Sequence, residues 1–147
     1  MASYVFCRVN DSRDDTYSKA LDDLTELVEA ERYYTQHRTP PKIMRRTPMV
    51  GIGSHRGRGL FLLGTCVGLD WEPLGEDSLP YRHRIEVVWD GAVYKAEYST
   101  VLEGVTKYNE RSWTSANLRD YRRVVDAILG GEVVRRVRDR PRLPWAT

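Results

Sequence analysis

The sequence predicts one α+β domain built on a small pseudobarrel of about five or six curved strands with flanking helices. Three observations predict it. The stretches with strand patterning lie together in the middle of the chain, with helical 3–4 spacing segregated to either side, so no βαβ alternation is present. Glycines interrupt the longest apolar strand, at Gly64 and Gly68, as they do where a sheet bends toward closure. The 147 residues, 41% apolar and 30% charged, suit a single domain with a buried core, residues 1–147, ending in a basic tail from about 133.

Each element has its own signal. Ser3 to Val9 is rich in β-branched and aromatic residues and reads as a strand. After the polar turn Asn10 to Asp15, a helix is predicted from about Thr16 to Tyr34. Tyr17, Ala20, Leu21, Leu24, Leu27 and Val28 form its stripe, with Asp14, Asp15 or Thr16 as the cap. Its other face is acidic: Asp22, Asp23, Glu26 and Glu29. Gln36 to Pro48 is a proline- and arginine-rich linker. A short strand, Met49 to Gly53, leads through a Gly/Arg turn, Ser54 to Gly59, into the continuous apolar strand Leu60 to Leu69. Asp70 to Pro80 is a loop. Arg82 to Trp89 alternates, Asp90-Gly91 is a type I′ hairpin signal, and Ala92 to Tyr98 is the expected return strand. Val101 to Trp113 is irregular and polar. Thr114 or Ser115 would cap a second helix with Leu118, Tyr121, Val124, Val125 and Ile128 as its buried stripe and Gly130-Gly131 as its end. The rest is the tail, with room for a short strand or helix at its start.

Net charge is only +2, but the charges are segregated. Residues 1–31 hold eight carboxylates and three Lys/Arg, whereas residues 32–69 hold seven Lys/Arg and no carboxylate. Arg135 to Arg142 holds five Arg and one Asp. Arginine outnumbers lysine 19 to 4, and its planar fork suits phosphates and base edges, although a GC-rich genome would also favour arginine codons. An anionic partner is the expectation. The longest apolar runs, such as Leu60 to Leu63, are too short to span a bilayer, and Met1 to Tyr4 lacks a signal-peptide pattern. Cys7 and Cys66 read as buried core thiols in a reducing cytoplasm. No cofactor is implied and no metal-ligand spacing appears among His37, His55 and His83.

The run from Gly59 through Leu60-Phe61-Leu62-Leu63-Gly64-Thr65-Cys66-Val67-Gly68, an aromatic loop, and Arg84-Ile85-Glu86-Val87-Val88-Trp89 resembles the EVE and YTH branch of the PUA-like superfamily. Thr106 to Trp113, leading into a helix, resembles the loop before the last helix of those domains. The resemblance covers about residues 49–129. It implies a reader domain that holds a flipped methylated or hydroxymethylated base in an aromatic cage. It further implies a partner nuclease or NTPase, as a subunit or fused domain of a restriction or defence system.

A flipped base needs aromatic walls and polar groups at its Watson–Crick edge. Trp71, in the loop after the long strand, is the first cage candidate; Trp113 and Tyr108 beside the late polar loop, and Tyr81, follow. Ser54 and His55 are base-edge candidates in the Gly/Arg turn. Arg38, Lys42, Arg45, Arg46, Arg56 and Arg58 are phosphate candidates, which set affinity and not sequence choice. Each has a plainer reading: a Trp folded onto the barrel, a solvated linker, an ordinary hairpin loop. The turn's glycines are no dinucleotide fingerprint, because no helix follows. For catalysis, Asp70, Glu72, Glu76 and Asp77 share one loop without the lysine-bearing strand pair of a nuclease, and Ser54-His55 adjacency makes no triad. The expectation is therefore a non-enzymatic nucleic-acid-binding module, DNA favoured over RNA. Two alternatives stand beside it. One is a protein-interaction module using the acidic helix; the other is an RNA-binding accessory domain of the PUA or ASCH type.

Overall fold

The computed structural model describes residues 4–11, 16–35, 45–68, 83–105 and 113–137. The fold is mixed α+β, a curled sheet forming a half-barrel, with eight strands among the described residues instead of five or six. β1 (Tyr4–Asp11) lies between β3 (Pro48–His55), to which it is parallel, and β7 (Trp113–Ala116), to which it is antiparallel. β3 and β4 (Arg58–Gly68) form a long antiparallel hairpin. Beyond β4 the sheet forks. The end of β4 pairs with β5 (His83–Trp89), which carries β2 (Arg32–Thr35); the start of β4 pairs with β6 (Ala92–Glu97), which carries β8 (Glu132–Arg136). No helix among the described residues is long and apolar enough to cross a membrane.

The sheet is covered on both faces. Val5, Cys7, Met49, Leu60, Leu62 and Cys66 pack with α1 (Tyr17–Ala30) through Ala20, Leu21, Leu24 and Val28. The alternate residues Phe6, Val50, Ile52, Phe61 and Leu63 pack with α2 (Tyr98–Val101) and α3 (Leu118–Leu129) through Val101, Tyr121, Val124, Val125 and Ile128. Side chains alternate across a strand, so a strand covered on both sides must be apolar at nearly every position. That is why β4 reads as an unbroken apolar run.

Both main helices begin on side-chain caps. The Thr16 hydroxyl accepts the Lys19 N–H at 3.1 Å, and the Asn117 side chain accepts the Asp120 N–H at 2.7 Å. Asn117, not Thr114 or Ser115, caps α3, because those two residues lie in the β1–β7 ladder. α1 also stops short of the predicted Tyr34. Glu31 turns left-handed, φ +53°, and its N–H closes onto the carbonyls of Leu27 and Val28. Arg32-Tyr33-Tyr34-Thr35 then leaves as β2. Aromatic and β-branched residues favour the extended state, and pairing with β5 buries Tyr33.

The Asp90-Gly91 hairpin is overturned. Neither residue has positive φ, and β5 and β6 run in the same direction along β4. Gly64 faces Trp89 and Phe61 faces Tyr94, so three steps along β4 match five along its partner. The two surplus residues form a kink, closed by the Asp90 N–H on the Leu63 carbonyl and by the Tyr94 hydroxyl on the Asp90 carboxylate at 2.7 Å. The tight two-residue turn is Arg56-Gly57, with φ +50° and +82° between the paired His55 and Arg58, as a type I′ turn requires. The Gly/Arg turn is thus narrower than Ser54 to Gly59.

Trp89 fills the place where the layers meet. Its ring lies over two glycines: a Cβ on Gly64 would stand 2.6 Å from the indole Cε3, and one on Gly51 3.3 Å from Cη2 and 2.8 Å from Val9 Cγ1. The indole N–H donates to the Arg32 carbonyl at 2.9 Å. Gly64→Ala should therefore destabilise the fold by about 1–3 kcal/mol through overpacking. Gly57→Ala meets nothing within 4 Å, so its cost is conformational, about 1–2 kcal/mol from the left-handed backbone. Denaturant unfolding of both variants checks these costs; a Gly64→Ala variant as stable as the parent would contradict the close contact between Gly64 and the Trp89 ring.

Candidate nucleic-acid interface

The acid-free stretch does not fold into one patch. Arg45 and Arg46 stand at the start of β3, and Arg56 and Arg58 at the far end of the β3–β4 hairpin. β3 has eight residues and lies between the two pairs, which separates them by at least its length, roughly 23 Å at strand rise. All four arginines are exposed.

At the first end, backbone bonds continue the ladder past the strand: the Arg46 N–H meets the Cys66 carbonyl at 2.7 Å, and the Cys66 N–H meets the Thr47 carbonyl at 2.8 Å. Arg46 is left-handed, φ +68°, and Arg45 Nε donates to the Val67 carbonyl at 3.0 Å. Arg45 is thereby held against the end of β4, and Arg46 is exposed beside it. Glu86, which faces Gly68 at this end of β4, pairs with Arg32 at 3.9 Å.

At the second end, Ser54 and His55 belong to β3 and not to the turn. His55 is buried, its ring 5.8 Å from that of Tyr17, whose ring also carries the Lys95 ammonium at 5.8 Å. The buried histidine is thus in tilted contact with a Tyr17 ring that also carries a cation, and is not a group presented to solvent. Gly51, Gly53 and Gly59 sit in the β3–β4 ladder, and a Cβ on Gly59 would strike the Phe61 ring at 2.3 Å. Gly51 and Gly59 thus serve packing, and Gly57 is the glycine of the exposed turn. Arg58 faces Glu97 across the ladder, and Lys95 faces Glu132. All four line an open depression of about 390 Å³. Its mixed charge makes this end a poorer anion site than the Arg45–Arg46 end.

The remaining candidates are scattered or fall outside the described residues. Trp71, Tyr81, Tyr108, Arg38 and Lys42 lie outside them. Trp113 begins β7, its backbone paired with Cys7. The acidic face of α1 is partly engaged: Asp22 pairs with Arg135 of β8, which also donates to the Thr25 hydroxyl, whereas Glu26 and Glu29 are exposed. Among the described residues, no group of three His, Cys, Asp or Glu side chains could hold a metal ion.

One basic surface escaped the sequence reading. The side of α3 opposite its buried stripe carries Arg119, Arg122 and Arg123, all exposed. The signal was present as i, i+3, i+4 spacing of arginine, hidden because only the apolar stripe was followed. Comparison with protein-family models, curated proteins and solved structures finds no match to this chain.

Cys7 and Cys66 are both buried and unpaired by a disulfide. Burial pushes both thiols above their ordinary value near 9, Cys7 far above it. A thiol that stays protonated when folded but ionises when unfolded stabilises fully below the unfolded pKa. Stability should therefore fall as pH rises above about 9. Cys7→Ser and Cys66→Ser should each remove part of that fall in denaturant titrations across pH 8–10. In native buffer near neutral pH, neither thiol should react with a disulfide reagent until the protein unfolds; rapid native labelling would contradict the burial.

Proposed function

We propose that the chain is a non-enzymatic nucleic-acid-binding module. On this reading it is a PUA-like reader of a methylated or hydroxymethylated base, cytoplasmic, with DNA favoured and cleavage or motor activity supplied by a partner. The observation that carries the reading is the set of exposed guanidiniums at Arg45, Arg46, Arg56 and Arg58 in a 38-residue stretch without a carboxylate. Arg58 faces Glu97, so phosphate contact falls first to Arg45, Arg46 and Arg56, which form no ion pair among the described residues. The curled, half-closed sheet is compatible with a pseudobarrel. Trp71 supplies the proposed cage wall, with Trp113, Tyr108 and Tyr81 as further aromatics.

Fluorescence anisotropy on labelled duplexes, unmodified, methylated and hydroxymethylated, with RNA competitors, tests it. The modified duplex should bind more tightly, and Trp71→Ala should erase the difference. The Arg45→Ala/Arg46→Ala double variant should weaken every duplex alike and lower the salt slope by about 2, since each neutralised phosphate contributes roughly 0.9. Equal affinity across the panel overturns the modified-base reading, and no binding overturns the module reading itself.

A second reading is a protein-interaction module using α1, favoured by the exposure of Glu26 and Glu29. Glu26→Lys/Glu29→Lys should then abolish capture of a partner protein without changing nucleic-acid affinity. Asp22 is unsuitable for that test, because reversing it would break its pair with Arg135.

A further inference from the structure

We infer that the outer face of α3 is a phosphate-backbone contact surface, independent of the acid-free segment; this rests on the nucleic-acid reading above. α3 buries Tyr121, Val124, Val125 and Ile128, so Arg119, Arg122 and Arg123 must share the opposite side. All three are exposed, and among the described residues none has a hydrogen bond or ion pair. The third is also placed: a Cβ on Gly104 would stand 3.5 Å from the Arg123 guanidinium, so that group rests on the loop after α2. An unpaired guanidinium already lying against backbone loses less freedom on meeting a phosphate than one on a free stem.

The position of α3 adds to this. Asn117, its cap, directly follows Ala116, which pairs with Tyr4, and Tyr4 stacks on Tyr121 at 4.6 Å. Gly131, just beyond its other end, packs under the Lys95 carbonyl. The helix therefore crosses the sheet from the β1–β7 side to β6. Its 12 residues span about 18 Å at helical rise, and phosphates of one duplex strand recur at about 6–7 Å, so arginines in successive turns can meet neighbouring phosphates. The helix also carries Asp126, exposed, four residues after Arg122 and three after Arg123. A carboxylate there opposes phosphate binding, which gives the surface a built-in sign test.

The experiment uses the full chain and a plain labelled DNA duplex, by anisotropy over a salt series. Arg119→Gln/Arg122→Gln/Arg123→Gln should weaken binding at least tenfold near physiological salt and lower the salt slope by about 2–3. Asp126→Asn should tighten binding two- to fivefold. Far-ultraviolet circular dichroism and the unfolding midpoint should match the parent, since the exchanged side chains are exposed. A parent that binds while the triple variant keeps its affinity and slope overturns the α3 surface and leaves the nucleic-acid reading standing. A parent that binds no duplex and no RNA overturns both. Loss of self-association in the triple variant with unchanged DNA affinity would make this face a contact between copies of the chain, and also overturns the proposal.

Discussion

The indole of Trp89 ties together, by side-chain packing, three strands of the sheet that its own strand joins only through the ladder. Its ring lies on the bare backbone of Gly51 in β3 and Gly64 in β4, and its N–H holds the Arg32 carbonyl of β2. The glycines let the ring approach the sheet at van der Waals distance, and the hydrogen bond satisfies a carbonyl just past the left-handed turn that ends α1. The strand that carries the tryptophan then kinks, so that β5 and β6 can follow the same edge of β4 while each recruits a different outer strand. Without the glycine bed the ring could not lie flat, and the branch carrying β2 would lose its anchor.

Filling both faces of the sheet has a consequence for charge. Most of the buried side chains of β3 and β4 belong to the two apolar clusters, and burying an unpaired cation among them would cost several kcal/mol. The arginines of residues 45–58 can only sit at the ends of the hairpin. Among the described residues, the outside of a helix offers a surface for regularly spaced cations. On α1 that outside is acidic and partly tied to Arg135; on α3 it is arginine-rich. The molecule thus has two helical faces of opposite sign on opposite sides of one sheet.

Much of the fold was legible. The α1 stripe, the α3 stripe, the long β4 run and both buried thiols follow from spacing and residue type. The candidate site was less so. A continuous positive segment looked like a single surface, yet the extended strand β3 runs through it and carries Arg45–Arg46 and Arg56–Arg58 to opposite ends of the sheet. The Gly/Arg turn looked like a flexible cradle, yet Gly59 makes room for Phe61 and Gly51, just before the turn, for Trp89. His55 looked like a base-edge group and lies under Tyr17 instead.

By itself the sequence determined which stretches are apolar, at what period, and how charge is shared along the chain, because these depend only on neighbours a few residues away. It could not decide partners. Asp90-Gly91 reads locally as a hairpin, but β4 offers an unbroken edge along which both flanking strands can pair in one direction, and that gain outweighs the turn's own preference. Arg32 to Thr35 reads locally as the end of a helix, but β5 and the Trp89 indole draw it into the sheet. In both places many ladder and packing contacts, supplied by residues some 25 to 60 positions away, outweighed a local preference of order 1 kcal/mol or less per residue.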